Sequence, residues 1–167
     1  MSAFAAELLK RQLLDLQRNP PQGISVGLKD DNNLFEWSVL VDGPAESPYE
    51  GGLFKAELIF PSDFPNHPPD MKFISEMWHP NIFDNGKVCI SILHQPGIDE
   101  FNPEESAEER WRPILSVEAI LVSVQNMLGA PNDSSPANID AAVQWRKDKV
   151  AFKRKVRKTV EKSLEMC

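Results

Sequence analysis

Cys89 is the candidate nucleophile of this chain. It stands in Lys87-Val88-Cys89-Ile90-Ser91-Ile92-Leu93, directly after the turn signature Asp84-Asn85-Gly86. A thiolate attacks carbonyl carbon, so a cysteine near a surface turn is placed for acyl chemistry. The apolar flanks allow a plainer reading, a buried small hydrophobe, which is what most free cysteines are. A thiol hydrolase would need an imidazole beside the sulfur, and His79 and His94 are available. A metal site is not expected, because there is no Cys-x-x-Cys and no paired-histidine spacing. His79 precedes Pro80, so it is held extended and its ring is expected to bond backbone. Asn81 follows. Its amide is a donor for the oxyanion of a tetrahedral centre and also an anchor for an Asx-type turn; the two roles are compatible.

These residues lie in a coil, and the elements around it must hold them. Phe4, Leu8, Leu9, Leu13, Leu14 and Leu16 follow a helical period over residues 3–18, and Asn19-Pro20-Pro21 stops that helix. Strand-like runs follow at Leu34 to Val41, Leu53 to Phe60 and Met71 to Ile74, with a weaker one at 24–28. Asp42-Gly43-Pro44 and Glu50-Gly51-Gly52 supply turns. Short connections with no helix between strands predict an antiparallel meander. Five prolines between Pro61 and Pro80 make that stretch extended and irregular, and residues 79–115 show little periodicity. A long coil in a compact domain is often functional. Ser116 is a good N-cap for a helix closed by Gly129-Ala130-Pro131. Asn138 or Asp140 opens the next helix, through Trp145, and Asp148 opens the last. The order helix, meander, long coil, three helices is α+β, with one sheet and helices on one face and at its ends.

The 167 residues fit a single domain, 41% hydrophobic and 26% charged, large enough to need no disulfide or metal staple. No run reaches the roughly 18 apolar residues of a membrane span. A start of Met1-Ser2-Ala3-Phe4 gives no expectation of a secretory signal or myristoylation, and Cys167 at the last position leaves no prenylation box. The chain reads as soluble and intracellular. Its net charge is −7. Residues 146–167 hold nine basic and three acidic residues, which leaves 9 basic and 22 acidic in residues 1–145. The basic end reads as a solvated helix face, since no aromatic ladder or base-reading motif accompanies it; nucleic acid is not an expected partner. Asp99, Glu100, Glu104, Glu105, Glu108 and Glu109 make an acidic loop at 98–109 that reads as a surface insertion.

Taken together, the motifs resemble those of the ubiquitin-conjugating enzyme family. Gly43-Pro44, Tyr49-Glu50-Gly51-Gly52-Leu53-Phe54 and Phe60-Pro61-Ser62-Asp63-Phe64-Pro65 are similar to its sheet and turn signature. Pro68-Pro69 resembles its double-proline loop, and His79-Pro80-Asn81 with Cys89 eight residues on resembles its active-site motif. Trp111-Arg112-Pro113, Pro131-Asn132 and Trp145 continue the likeness. The insertion at about 94–109 resembles the acidic-loop subgroup, and Cys-Ile-Ser-Ile-Leu-His followed by Pro-Gly is closest to class G.

The resemblance implies one conjugating domain over 1–167. It implies that Cys89 would take ubiquitin as a thioester from the activating enzyme, and that a lysine of a substrate protein or of another ubiquitin would then attack it. A RING-type ligase would usually hold the pair, in protein degradation. Asn81 would hold the coil and stabilise the oxyanion, with His79 and His94 as supporting residues. Ser135 stands where the family gates the acceptor lysine with serine or aspartate, so Asp99 or Glu100 would supply the carboxylate instead. Ligase contact would involve Pro113 and Ile114 and the place of Asn66, where relatives carry a large apolar residue. ATP is consumed and its nucleotide bound by the activating enzyme, so no cofactor is implied here. Two variants of the reading are a ubiquitin-like modifier as cargo and a non-catalytic ubiquitin-binding form. The implied location is cytoplasmic, and nuclear as well.

Overall fold

Strict alternation sets the sheet of this computed structural model, which describes residues 3–165. In β2 (Glu36–Asp42), Trp37, Val39 and Val41 are buried; in β3 (Leu53–Ile59), Phe54, Ala56 and Leu58 are buried. Period-two alternation commits one face of each strand to the core and so fixes register. The antiparallel pairing places the inward residues opposite one another: Trp37 faces Leu58, Val39 faces Ala56, and Val41 faces Phe54. β1 (Ile24–Leu28) pairs with β2, and β4 (Asp70–Phe73) with β3, which gives the order β1-β2-β3-β4 expected of a meander.

The expected strand at Leu34 begins two residues later. Asn33 Oδ1 accepts the Phe35 amide at 2.9 Å, and Leu34 O accepts from the Trp37 indole at 2.8 Å, so a local turn precedes the ladder. β4 stops at Phe73 because the amides of Ile74 and Ser75 turn to Lys55 O.

α1 (Ala3–Arg18) buries Ala5, Leu9, Leu13 and Leu16 and packs on β1. Phe4 and Leu14, read from the sequence as part of the apolar stripe, are exposed; the buried face runs at +4, +4, +3 and leaves both off it. In α2 (Val117–Gly129), the Ser116 hydroxyl accepts from the Ala119 amide, and Gln12 Oε1 of α1 accepts from Val117 N at 2.8 Å. Two amide groups that the helix cannot satisfy itself are thereby met, one of them from another element. Asn138, not Asp140, caps α3 (Ile139–Lys147), with its Oδ1 accepting from Ala141 N. Asp148 caps α4 (Lys149–Glu165), accepting from Ala151 N at 3.1 Å.

α4 buries Phe152, Val156 and Val160 against β3 and turns its basic residues outward. There Lys155 lies 3.5 Å over the Trp78 ring, Lys162 pairs with Glu76, and Arg157 donates to Glu50 O. No described helix is long and apolar enough to cross a membrane. Trp37, Trp111, Tyr49, Phe54, Phe64, Phe73 and Phe152 are among the largest fully buried side chains of the described residues. Each large apolar side chain of this kind contributes roughly 1.5–3 kcal/mol on burial.

Candidate active site

The segment that carries Cys89 is a small hairpin laid along β4. The Phe83 amide donates to Lys87 O, and the Gly86 amide to Phe83 O, closing a turn through Asp84 and Asn85. Gly86 is required at its place. Its φ is +95°, and a Cβ there would lie 2.2 Å from Phe73 O. That closeness lets Phe73 N donate to Gly86 O and Val88 N to Met71 O. Further along, Ile82 bridges Val88, and the Cys89 amide donates to Asn81 O at 2.9 Å. The two residues singled out from the sequence therefore face each other across one rung. Cys89 is half-buried, not the enclosed small hydrophobe of the plainer reading.

His79 is fully buried and both its nitrogens are bonded to backbone. Nε2–H donates to Met127 O at 2.7 Å, and Nδ1 accepts from Asn81 N at 2.9 Å. Met127 lies in the last turn of α2, where carbonyls have no intrahelical partner. Burial pushes the imidazole pKa down to about 4, only partly offset by the Met127 bond. It is neutral at physiological pH, which this donor–acceptor pattern requires.

Asn81 uses both ends of its amide on one neighbour. Nδ2 donates to Asn132 O at 2.6 Å, and Oδ1 accepts from Asn132 N at 2.9 Å. The amides of Ala137 and Asn138 add bonds to Pro80 O at 2.8 and 3.0 Å. The loop after α2 is thus buttoned onto His79-Pro80-Asn81, and one N–H of the Asn81 amide is engaged in that closure.

His94 follows a single 3-10 turn, Ser91–Leu93. Its Nε2 lies 3.6 Å from Cys89 Sγ, while Nδ1–H donates to the Glu105 carboxylate, 3.0 and 2.9 Å from the two oxygens. Glu105 is 8% exposed; Ser91 Oγ donates to it at 2.7 Å and Arg110 Nη1 at 2.6 Å. Arg110 also donates to Gln95 O and stands 3.8 Å from Asp99. Hydrogen bonding to Cys89, then to Glu105, raises the His94 pKa against the opposing effect of burial. Burial works to raise the Glu105 carboxyl, but Ser91, His94 and Arg110 together hold it below its usual range. The acidic loop is therefore not a uniformly solvated insertion: Glu105 folds inward. The Trp111 amide donates to His94 O at 3.1 Å, closing the loop's two ends on each other.

Cys89 sits where two hollows meet. One, of about 450 Å³, is lined also by Asn81, His94, Glu104, Glu109 and Ser135. The other, of about 380 Å³, is lined also by Asp70, Lys87, Asp99 and Arg110. Ser135 and Asp99 thus stand with Cys89, whereas Glu100 is exposed and lines neither hollow. Asn66, Pro113 and Ile114 are exposed, with Ile114 at 83%. Their loops are tied together, since the Trp111 indole donates to Pro65 O at 2.8 Å and packs against Phe64. Among the described residues no cluster of three or more His, Cys, Asp or Glu is placed to hold a metal. Cys167 lies outside the described residues.

Three features escaped the sequence reading: the Met127 carbonyl, the Asn132 backbone and the inward turn of Glu105. The first two are peptide groups with no side-chain signal. Glu105 has the same residue type as Glu104 beside it, and only the positions of Ser91, His94 and Arg110 separate them.

Helix, meander, coil and cysteine are those of a conjugating enzyme, and comparison with known proteins agrees. The profile of the family described as "Ubiquitin-conjugating enzyme" matches residues 8–160. The chain belongs to that family. It is 54% identical over 165 residues to "Ubiquitin-conjugating enzyme E2 15" of Schizosaccharomyces pombe, covering 99% of this chain and 98% of that one. It is 48% identical over 164 residues to "Ubiquitin-conjugating enzyme E2 G2" of Bos taurus, covering 98% and 99%. The solved structure of human ubiquitin-conjugating enzyme E2 G1 matches with a TM-score of 0.69 at 52% identity, over 78% of this chain and 99% of that one.

Proposed function

We propose that Cys89 carries ubiquitin as a thioester received from the activating enzyme and passes it to a lysine of a substrate protein or of a second ubiquitin. The position of Cys89 carries this reading: half-buried, opposite Asn81, and open to both hollows. An acyl group on Sγ would be reached from either side. Proximity then supplies much of the rate for the second step. Asn81 holds the coil and lends the oxyanion a donor. Ser135 and Asp99 flank the path of the acceptor amine. A RING-type ligase contacts Pro113, Ile114 and the loop at Asn66, and the product feeds protein degradation in the cytoplasm and the nucleus.

The test is incubation with activating enzyme, ATP and a panel of modifiers, followed by gels with and without reductant. A reductant-labile ubiquitin adduct that disappears in Cys89→Ala is expected. An adduct that persists in Cys89→Ala would overturn the assignment and point to Cys167. A second reading, a thiol hydrolase, is favoured by the 3.6 Å approach of His94 to Sγ. Peptide cleavage without ATP in the same assay would establish it.

A further inference from the structure

Resting on the reading that Cys89 is acylated, we propose that Glu105 is a positioning residue that acts through His94 to activate the Cys89 sulfur. The chain of contacts is continuous. Glu105 receives Nδ1–H of His94, which leaves Nε2 as the nitrogen turned to Sγ. A carboxylate behind an imidazole fixes its ring orientation and its tautomer and stabilises the imidazolium once formed. Glu105 is itself held on both oxygens, by Ser91 on one and Arg110 on the other, so it is the rigid end of the chain. Its burial separates it from the exposed carboxylates of the same loop.

The step it serves is loading. The Cys89 S–H proton passes to His94 Nε2. The Cys89 thiolate forms a bond to the carbonyl carbon of the ubiquitin C-terminal glycine, and the bond from that carbon to the activating enzyme's cysteine sulfur breaks. That sulfur leaves with the electron pair and takes up the proton. No oxidant or further reactant is involved.

The groups around His94 are the Cys89 thiol on the hairpin and the charged Glu105, Arg110 and Asp99 on the loop. Glu104 and Glu109 line one adjoining hollow, and Asp70 and Lys87 the other. Mostly acidic surroundings make the direction of the effect diagnostic. Removing a nearby negative charge, by itself, favours a thiolate. Glu105→Gln would therefore speed thiol chemistry if Glu105 acted only as a charge. It would slow it if Glu105 acts by holding His94.

The experiment is alkylation of the full chain with iodoacetamide from pH 5.5 to 9.5, read at Cys89 by peptide mass spectrometry so that Cys167 does not contribute. Expected for Glu105→Gln is about a tenfold slower reaction at pH 7, the worth of one charge-assisted hydrogen bond. The deficit closes as the pH approaches 9. In a His94→Ala background, Glu105→Gln has no further effect. Glu105→Asp recovers part of the rate, and melting temperatures of all variants establish that they are folded. A faster or unchanged rate in Glu105→Gln, or the same loss with and without His94, overturns the proposal. If the parent shows the pH profile but takes no ubiquitin on Cys89, the conjugation reading fails and the relay stands.

Discussion

Asn81 and Asn132 are joined twice, amide to backbone and backbone to amide, at 2.6 and 2.9 Å. The pair fastens the post-α2 loop to the segment that faces Cys89. Asn81→Ala therefore removes two hydrogen bonds and is expected to lower stability by about 1–3 kcal/mol, a fall of several degrees in Tm. On the proposed reading, in which the amide also donates to the oxyanion, lysine aminolysis is expected to slow by up to roughly 10²–10³-fold, with loading affected less. Thermal melts and single-turnover discharge of one mutant separate the two effects. Equal losses in loading and discharge, together with the Tm fall, would leave the clamp as the whole role.

Cys89→Ser offers a chemical check. Serine oxygen leaves a carbonyl less readily than thiolate, so the adduct formed with activating enzyme, ATP and ubiquitin is expected to survive reductant and to discharge poorly onto free lysine. A reductant-labile adduct on this variant would place the acyl group elsewhere.

His79 makes acid stability predictable. Its folded pKa, about 4, lies below the ordinary histidine value near 6.5, so the unfolded chain binds the proton more tightly. Stability is then full above about pH 6.5, falls as the pH drops toward 4, and levels off below that. The total is on the order of 3 kcal/mol from this group alone. His79→Gln keeps a donor for Met127 O but does not titrate there. Urea melts at pH 7, 5.5 and 4.5 should show the parent losing more stability over this range than the variant. Parallel curves would mean that His79 takes up its proton as readily in the fold as in the unfolded chain.

Glu104 and Glu109 are exposed and line the hollow beside Cys89, so they are loop carboxylates placed to draw in a cationic amine. Glu104→Gln with Glu109→Gln is expected to slow ubiquitin-chain formation about two- to fivefold at low ionic strength, while loading of Cys89 changes little. The difference should vanish near 0.5 M salt, because screening acts within about 8 Å already at physiological strength. An unchanged chain rate at low salt would reduce these two residues to solvated surface.

The sheet was readable in advance because alternation in Trp37-Ser38-Val39-Leu40-Val41 and Phe54-Lys55-Ala56-Glu57-Leu58 has one physical solution, a face in the core. Helix ends were readable where a side chain makes the cap, as at Ser116 and Asp148. Phe4 and Leu14 misled because composition alone does not say which arc of a helix meets the sheet. Cys89, His79 and Asn81 announced themselves by residue type and spacing. The purpose of His79 was legible only as a tendency, since its partner is a carbonyl 48 residues away in sequence. Glu105 was hidden because burial of one carboxylate among six depends on where Arg110 and Ser91 come to rest.

The bond from Trp111 N to His94 O has a consequence for length. Residues 95–110 leave and rejoin the body of the protein at that rung, as a loop tied off at its neck, with Glu105 reaching back to Ser91 and His94. Chain inserted within such a loop lengthens the excursion without shifting either side of the knot, and doubling its residues costs only about 0.6 kcal/mol in closure entropy. The backbone that carries the imidazole next to Sγ on one side, and the indole that holds Pro65 on the other, is fixed by that rung rather than by the loop's size. In this stretch of the coil the protein can grow or shrink, provided a carboxylate still reaches back to His94.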